Sequence, residues 1–162
     1  GIVDTDMIAA SAVTPAKSTI TGGKVLQTLH MTTTQDVTID NSTAWFDTNL
    51  EQSITMTSAS NKVLILSNLY VYLYGNGDVG CAMRLLRGST DTGVINGYAI
   101  QLATSGGAAD AQQICPMHHL DSPGAGTHTY KIQCKALATD DDIYVNGGGD
   151  MDSTLTLLEI AA

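Results

Sequence analysis

The sequence predicts an all-β fold: an antiparallel jelly-roll-like β-sandwich head with a short extended N-terminal stalk. Three observations lead there. The 162 residues hold 21 Thr and 16 Gly against two Glu and seven Lys plus Arg, a balance that suits pleated surfaces and tight turns and leaves helices without their usual exposed formers. Segments of alternating apolar and polar residues recur between Gly-rich turns. The final run, Ser153 to Ile160, reads as a strand buried on both faces, so the chain is expected to end inside its own sheet and to make its connections from the other end.

Residues 1–23 form the expected stalk or anchor, and residues 24–162 the head. In the stalk, Ile2, Val3, Met7, Ile8, Val13 and Ile20 follow neither a strict alternation nor a helical period, and Pro15 stops any short helical turn. One copy cannot bury these aliphatics, which leaves a choice between a disordered arm and a segment that packs against other chains. Head residues number about 140, enough for one compact core.

The head opens with a strand at Lys24 to Met31 and a polar stretch of threonines. Ile54 and Met56 alternate with Thr55 and Thr57 as a short half-buried strand. Lys62 to Tyr74 is the strongest element. Its odd positions from Val63 to Leu73 are mostly aliphatic, and its even positions end in Tyr70, Tyr72 and Tyr74, so a tyrosine ladder lies on one face and both faces are expected to be covered. Further strands are expected near Cys81 to Leu86, Val94 to Leu102, Gln113 to Leu120, His128 to Cys134, Ile143 to Val145 and the closing run. Pro116 marks an edge or bulge, because it cannot donate to a ladder. Seven to nine short strands of this kind indicate a jelly roll.

Composition excludes several functions. A net charge of −9 lacks the clustered cations that phosphate neutralisation needs, so neither nucleic acid nor an anionic membrane surface is an expected partner. No apolar run reaches the roughly 20 residues of a membrane span, and no signal peptide is expected at Gly1. Cys81, Cys115 and Cys134 are odd in number and widely spaced, and are expected to be small buried side chains rather than a disulfide framework.

Each chemical motif has a structural explanation. Gly75-Asn-Gly-Asp-Val-Gly80 matches a dinucleotide fingerprint, but a strand follows it where a helix is required, so a hairpin is expected and no cofactor. Cys115-Pro-Met-His118-His119 places neighbours on opposite faces of a strand, so no metal site is assigned. Asp140, Asp141, Asp142, Asp150 and Asp152 lack the ligand order of a calcium loop and read as a solvated acidic rim. Asn41-Ser-Thr43 fits a glycosylation acceptor. No nucleophile elbow is present, and no catalytic residue is assigned among His30, His118, His119 and His128. The tyrosine ladder has three readings: a second sheet packed on it, a subunit interface, or a sugar-stacking face. The subunit interface is preferred.

Several phrases together, Met7 to Lys17, Gly23 to Gln27, Ser53 to Ile65, Gly126 to Lys131 and Ser153 to Ile160, resemble the C-terminal part of tailed-bacteriophage fibre proteins, particularly those of phages from aquatic bacteria. The resemblance implies a homotrimer with an intertwined stalk and a β-sandwich head, used for host attachment or as an appendage on the capsid. This chain has one stalk phrase where longer fibres have several, which leaves fibre tip, head fibre and decoration protein open. The expectation is therefore a non-enzymatic virion protein, without cofactor, anchored to a larger assembly by its N-terminal segment and able to meet a host glycan or protein. The alternative is a carbohydrate-binding or adhesive sandwich module of a cellular surface protein. The turns at 88–93 and 121–126 are candidate contact loops.

Overall fold

The computed structural model describes residues 23–40, 42–94, 97–102, 107–147 and 151–162. The expected stalk, but for Gly23, lies outside them, as do Asn41 and Asp150. Eleven strands run in chain order: β1 Val25–Thr33, β2 Val37–Ile39, β3 Phe46–Met56, β4 Lys62–Asn76, β5 Val79–Arg87, β6 Thr90–Asp91, β7 Gly97–Leu102, β8 Ala108–Asp121, β9 Gly126–Ala136, β10 Asp141–Val145 and β11 Ser153–Ile160. They form two antiparallel sheets.

The first sheet is built around β4. One edge of β4 pairs with β8 along its whole length, and the other is shared end to end by β11 (residues 62–68) and β10 (71–75). β1 and β2 then flank β11 and β10. The second sheet runs β3-β9-β5, with β6 and β7 sharing the far edge of β5. Taking β1 with β2, β10 with β11 and β6 with β7 as interrupted single strands gives four positions in each layer, in the strand order of a jelly roll.

Both interruptions in the first sheet are tied together. Asn146, at φ 59°, turns the chain out after β10, and its Nδ2 donates to Gln35 O at 2.9 Å in the gap between β1 and β2. Ser153 restarts the strand: its hydroxyl donates to Asn146 Oδ1 and accepts from Tyr70 N at 2.9 Å.

The core lies between the sheets. Val63, Ile65, Leu69, Val71 and Leu73 of β4 face Met83, Leu85, Tyr130, Ile132 and Leu50 of the second sheet, all fully buried. The aliphatic parity of β4 is therefore the inner face, and the tyrosine parity points away from the second sheet. Tyr70 is buried, Tyr72 half-buried and Tyr74 46% exposed, so the ladder is neither covered by a second layer nor sealed along its length.

Three other expectations are corrected. β11 is buried on its inner face only, with Thr154, Thr156, Leu158 and Ile160 half-open on the other. β3 begins ten residues before Met56, its polar first half closing against β9 around a bulge where Asn49 adopts φ 61° and Thr48 Oγ1 donates to Ile132 O. The threonine stretch after β1 contains β2. Pro116 does sit on β8, whose described ladder partner is β4 alone, which needs no donor from it.

The two ends of the sandwich differ. At one end Gly23 packs on Ile160, and the β3–β4, β5–β6 and β8–β9 turns gather round it. At the other end, Gly77 N donates to Gly107 O and Leu137 N to Gly80 O, closing the β4–β5, β7–β8 and β9–β10 connections.

Candidate functional site

The outer face of the first sheet can be read row by row from its register. One row in from Lys62 and Ile160 at the Gly23 end, Leu120, Leu64, Leu158 and Thr28 stand side by side on β8, β4, β11 and β1. The next row is His118, Leu66, Thr156 and His30, and the next Pro116, Asn68, Thr154 and Thr32. Ile114 beside Tyr70 follows, then Gln112, Tyr72, Tyr144 and Thr38, and last Asp110, Tyr74 and Asp142. A leucine patch thus lies near Gly23 and a tyrosine patch near the opposite end. Leu66, Leu120 and Ile114 are 42%, 51% and 54% exposed. Between the patches is a shallow depression of about 340 Å³ lined by Leu66, Asn68, Pro116, His118, Thr154 and Thr156.

In the tyrosine patch, the Tyr72 ring centroid lies 5.5 Å from Tyr144 and 6.4 Å from Tyr74, with the planes tilted by 31° and 37°. Burial and the neighbouring Asp110 carboxylate, which accepts from its hydroxyl, raise the Tyr72 pKa. Asp142 is raised by burial and by contact with the Asp40 carboxyl group. The Tyr70 hydroxyl is buried with no hydrogen-bond partner among the described residues.

The outer face of the second sheet is of a different kind. Ser53 pairs with Thr129 at 2.7 Å and Thr55 with Thr127 at 2.8 Å through their hydroxyls. Asp47 accepts from Gln133 at 2.6 Å and from Lys131, while Arg84 and Lys135 lie 4.4 and 5.1 Å from the centroid of Trp45. Polar groups there satisfy one another.

The remaining motifs resolve structurally. The Gly75–Gly80 phrase is the β4–β5 hairpin, with Gly77 at φ 88°. Cys81, Cys115 and Cys134 are free and buried in the core. His118 faces outward and His119 pairs with Ile65 on the other parity, so the two diverge. No group of three or more His, Cys, Asp or Glu residues placed to hold a metal occurs among the described residues. One member of the acidic rim is not solvated: Asp141 is buried and accepts from Gly80 N and Ala138 N at 3.2 Å each. The turns at 88–93 and 121–126 lie at the Gly23 end, joined where Asp121 accepts from Arg87 Nη1 at 2.6 Å and from the Tyr130 hydroxyl at 2.7 Å.

No family model matches the chain, and no curated protein matches it. Among solved structures, a chain in the structure of infectious bursal disease virus, Gx strain, is similar over 84% of this chain at 11% identity, with a TM-score of 0.34. This chain spans 40% of that one.

Sequence reasoning missed Tyr144 as a member of the tyrosine patch. The signal was present, since Tyr144 has the outward parity of β10, but its partner Tyr72 is 72 positions away and only the register joins them.

Proposed function

We propose that the chain is a non-enzymatic structural subunit of a virus particle, a homotrimeric fibre or capsid appendage. Its copies meet through the leucine end of the first sheet's outer face, residues 1–23 join it to the particle, and the head contributes to host attachment. The carrying observation is the contrast between the two outer faces. One is closed by hydroxyl pairs and ion pairs, while the other leaves Leu64, Leu66, Leu120 and Leu158 in two adjoining rows, and Ile114 two rows further on, at least partly open to water. Contiguous apolar surface of this kind on a soluble domain marks an association site.

Two further points support the reading. Jelly rolls recur in viral shells and in lectins, and four of the five phrases resembling fibre proteins fall on strands and turns of the sandwich, while Met7 to Lys17 lies outside the described residues. The leucine patch also adjoins Gly23, so three copies meeting there bring their leading segments together, where the aliphatics of residues 1–22 gain partners.

Light scattering on the purified chain tests this. The expected mass is three times that of the chain, and Leu66→Glu with Leu120→Glu reduces it to one while the circular dichroism spectrum stays unchanged. A wild-type monomer at micromolar concentration overturns the trimer and favours a cellular adhesive module acting as a single subunit.

A further inference from the structure

The tyrosine patch lies ten residues along β4 from Leu64, roughly 30 Å at strand rise, and is separate from the leucine contact. Its chemistry is that of a cation receptor. Tyr72, Tyr74 and Tyr144 are three neighbouring rings on residues that are half-buried or exposed. Asp110 and Asp142 flank Tyr74 in the last row, and Asp40 touches Asp142. We propose that Tyr72, Tyr74 and Tyr144, rimmed by Asp110, Asp142 and Asp40, bind an alkylammonium group, quaternary in preference to primary.

The geometry suits such a group. Rings with centroids 5.5 Å apart and planes tilted by only 31° are too close to lie side by side, so Tyr72 and Tyr144 form an offset pair, and a cation takes an outward ring face at about 5 Å from its centroid, inside cation–π range. Carboxylates around the rings supply long-range attraction that a neutral sugar cannot use. The Asp40–Asp142 contact crowds two acidic groups whose repulsion a bound cation relieves, in keeping with the raised Asp142. Among the described residues no cation competes: Arg84, Arg87, Lys131 and Lys135 belong to the second sheet, and Lys24 and Lys62 stand at the Gly23 end. A quaternary ammonium is favoured because its weakly hydrated methyl shell loses little on leaving water, whereas a primary ammonium gives up strong hydration for donors that only Asp carboxylates can accept.

The position also fits attachment. These rings sit at the end of the sandwich away from Gly23, whereas the turns at 88–93 and 121–126 sit beside it. The inference does not depend on the virion reading, since an ammonium receptor can serve a monomer or a trimer.

Choline is the probe, set against its neutral isostere in which carbon replaces the quaternary nitrogen, with saturation-transfer NMR on the methyl signal as readout. Choline is expected to bind saturably in the millimolar range, with the isostere about tenfold weaker. Tyr74→Ala, which removes an exposed ring, is expected to weaken choline about tenfold, and the isosteric Asp142→Asn about threefold, each with the wild-type melting temperature. Equal binding of choline and isostere, no saturation by tens of millimolar, or an unchanged affinity in Asp142→Asn overturns the proposal. So does a neutral oligosaccharide binding more tightly than choline. Co-sedimentation with phosphatidylcholine vesicles identifies the source: binding assigns a bilayer head group, and free choline without vesicle binding assigns choline carried on a soluble polymer. Light scattering on the same samples keeps the outcome separate from that of the trimer test.

Discussion

Asn61 Nδ2 donates a 2.6 Å hydrogen bond to Glu159 Oε1, on a carboxylate that is fully buried and has no ion pair among the described residues. Thr57 donates to the same oxygen from its backbone N at 2.8 Å and its hydroxyl at 2.7 Å, and Gln27 Nε2 reaches Oε2 at 2.6 Å. Gln27 belongs to β1, Thr57 and Asn61 to the β3–β4 turn, and Glu159 to β11, so a single carboxylate binds the two sheets together at the Gly23 end. Neutral donors suffice because four of them converge on one anion, which makes each bond charge-assisted.

This clasp makes stability acid-sensitive. Burial alone raises the Glu159 pKa, but the hydrogen bonds from Asn61, Gln27 and Thr57 outweigh it and lower the folded value from 4.5 to about 2. A depressed folded pKa means that the stabilisation is complete above the unfolded value and is lost as pH falls from 4.5 towards 2. Glu159→Gln removes the charge and turns an amide donor towards existing donors. It is expected to destabilise the domain by about 2 kcal/mol at neutral pH. Urea melts from pH 7 to 2.5 should show the wild type losing part of its midpoint below pH 4.5 and the variant losing less over the same interval. Parallel curves for the two proteins would remove the clasp from the acid response.

How much of this was legible in sequence depended on the range of the interaction. Alternation in Lys62 to Tyr74 separated an aliphatic face from a tyrosine face, whereas Ser153 to Ile160 was legible as a strand but not as one with a half-open outer side, because Leu158 and Ile160 are apolar on that side too. The first half of β3 was not visible, since Asp47, Asn49, Glu51 and Ser53 present a wholly polar outer parity while the apolar inner one is interrupted by Thr48. Glu159 had a weak local signal, being a charge at the inward position after Leu155 and Leu157, yet its partners come from residues about 100 and 130 positions earlier. Likewise, Tyr70, Tyr72 and Tyr74 could be placed on one face of one strand, but whether that face was open, and that Tyr144 and the carboxylates complete it, required the register of three strands.

Gly80 is the glycine of the fingerprint-like phrase with the least room. A Cβ there would lie 2.5 Å from Leu137 Cδ1 and 2.8 Å from Ile100 O, and the second of these is backbone. The leucine tip can turn aside, but the carbonyl cannot move without disturbing the pairing of β5 with β7. Gly80→Ala is therefore expected to cost about 2 kcal/mol through overpacking. A Cβ at Gly77 would meet nothing within 4 Å, but the residue holds φ 88°, so Gly77→Ala carries only the backbone penalty, about 1 kcal/mol. Chemical denaturation of the pair checks the order, and a milder effect at Gly80 than at Gly77 would contradict the packing argument.

The three thiols should be inert in the folded protein. Cys81 contacts the Cys115 and Cys134 thiols, and the Cys134 contact together with burial holds its pKa far above the usual thiol range; the Cys81 contact and burial do the same for Cys115. Thiolate is the reactive species, so Cys81 and Cys115 hold a negligible population of it at pH 8, and Cys134 is shielded by its complete burial. Oxidation among the three is also hindered. In the register of β5 with β9, Cys81 faces Ala136 and Cys134 faces Met83, a diagonal relation with a Cα separation of about 7 Å, while Cys115 stands on the opposing sheet about 10 Å away. Both separations exceed the usual span of a disulfide. Titration with an aromatic disulfide reagent at pH 8 should thus give no thiol release from native protein and three equivalents in denaturant. The release rate should rise with urea in step with global unfolding, because no local opening exposes the core between two sheets. Rapid modification of one cysteine in the native state would show that the core opens locally, and would contradict the burial that shields all three thiols.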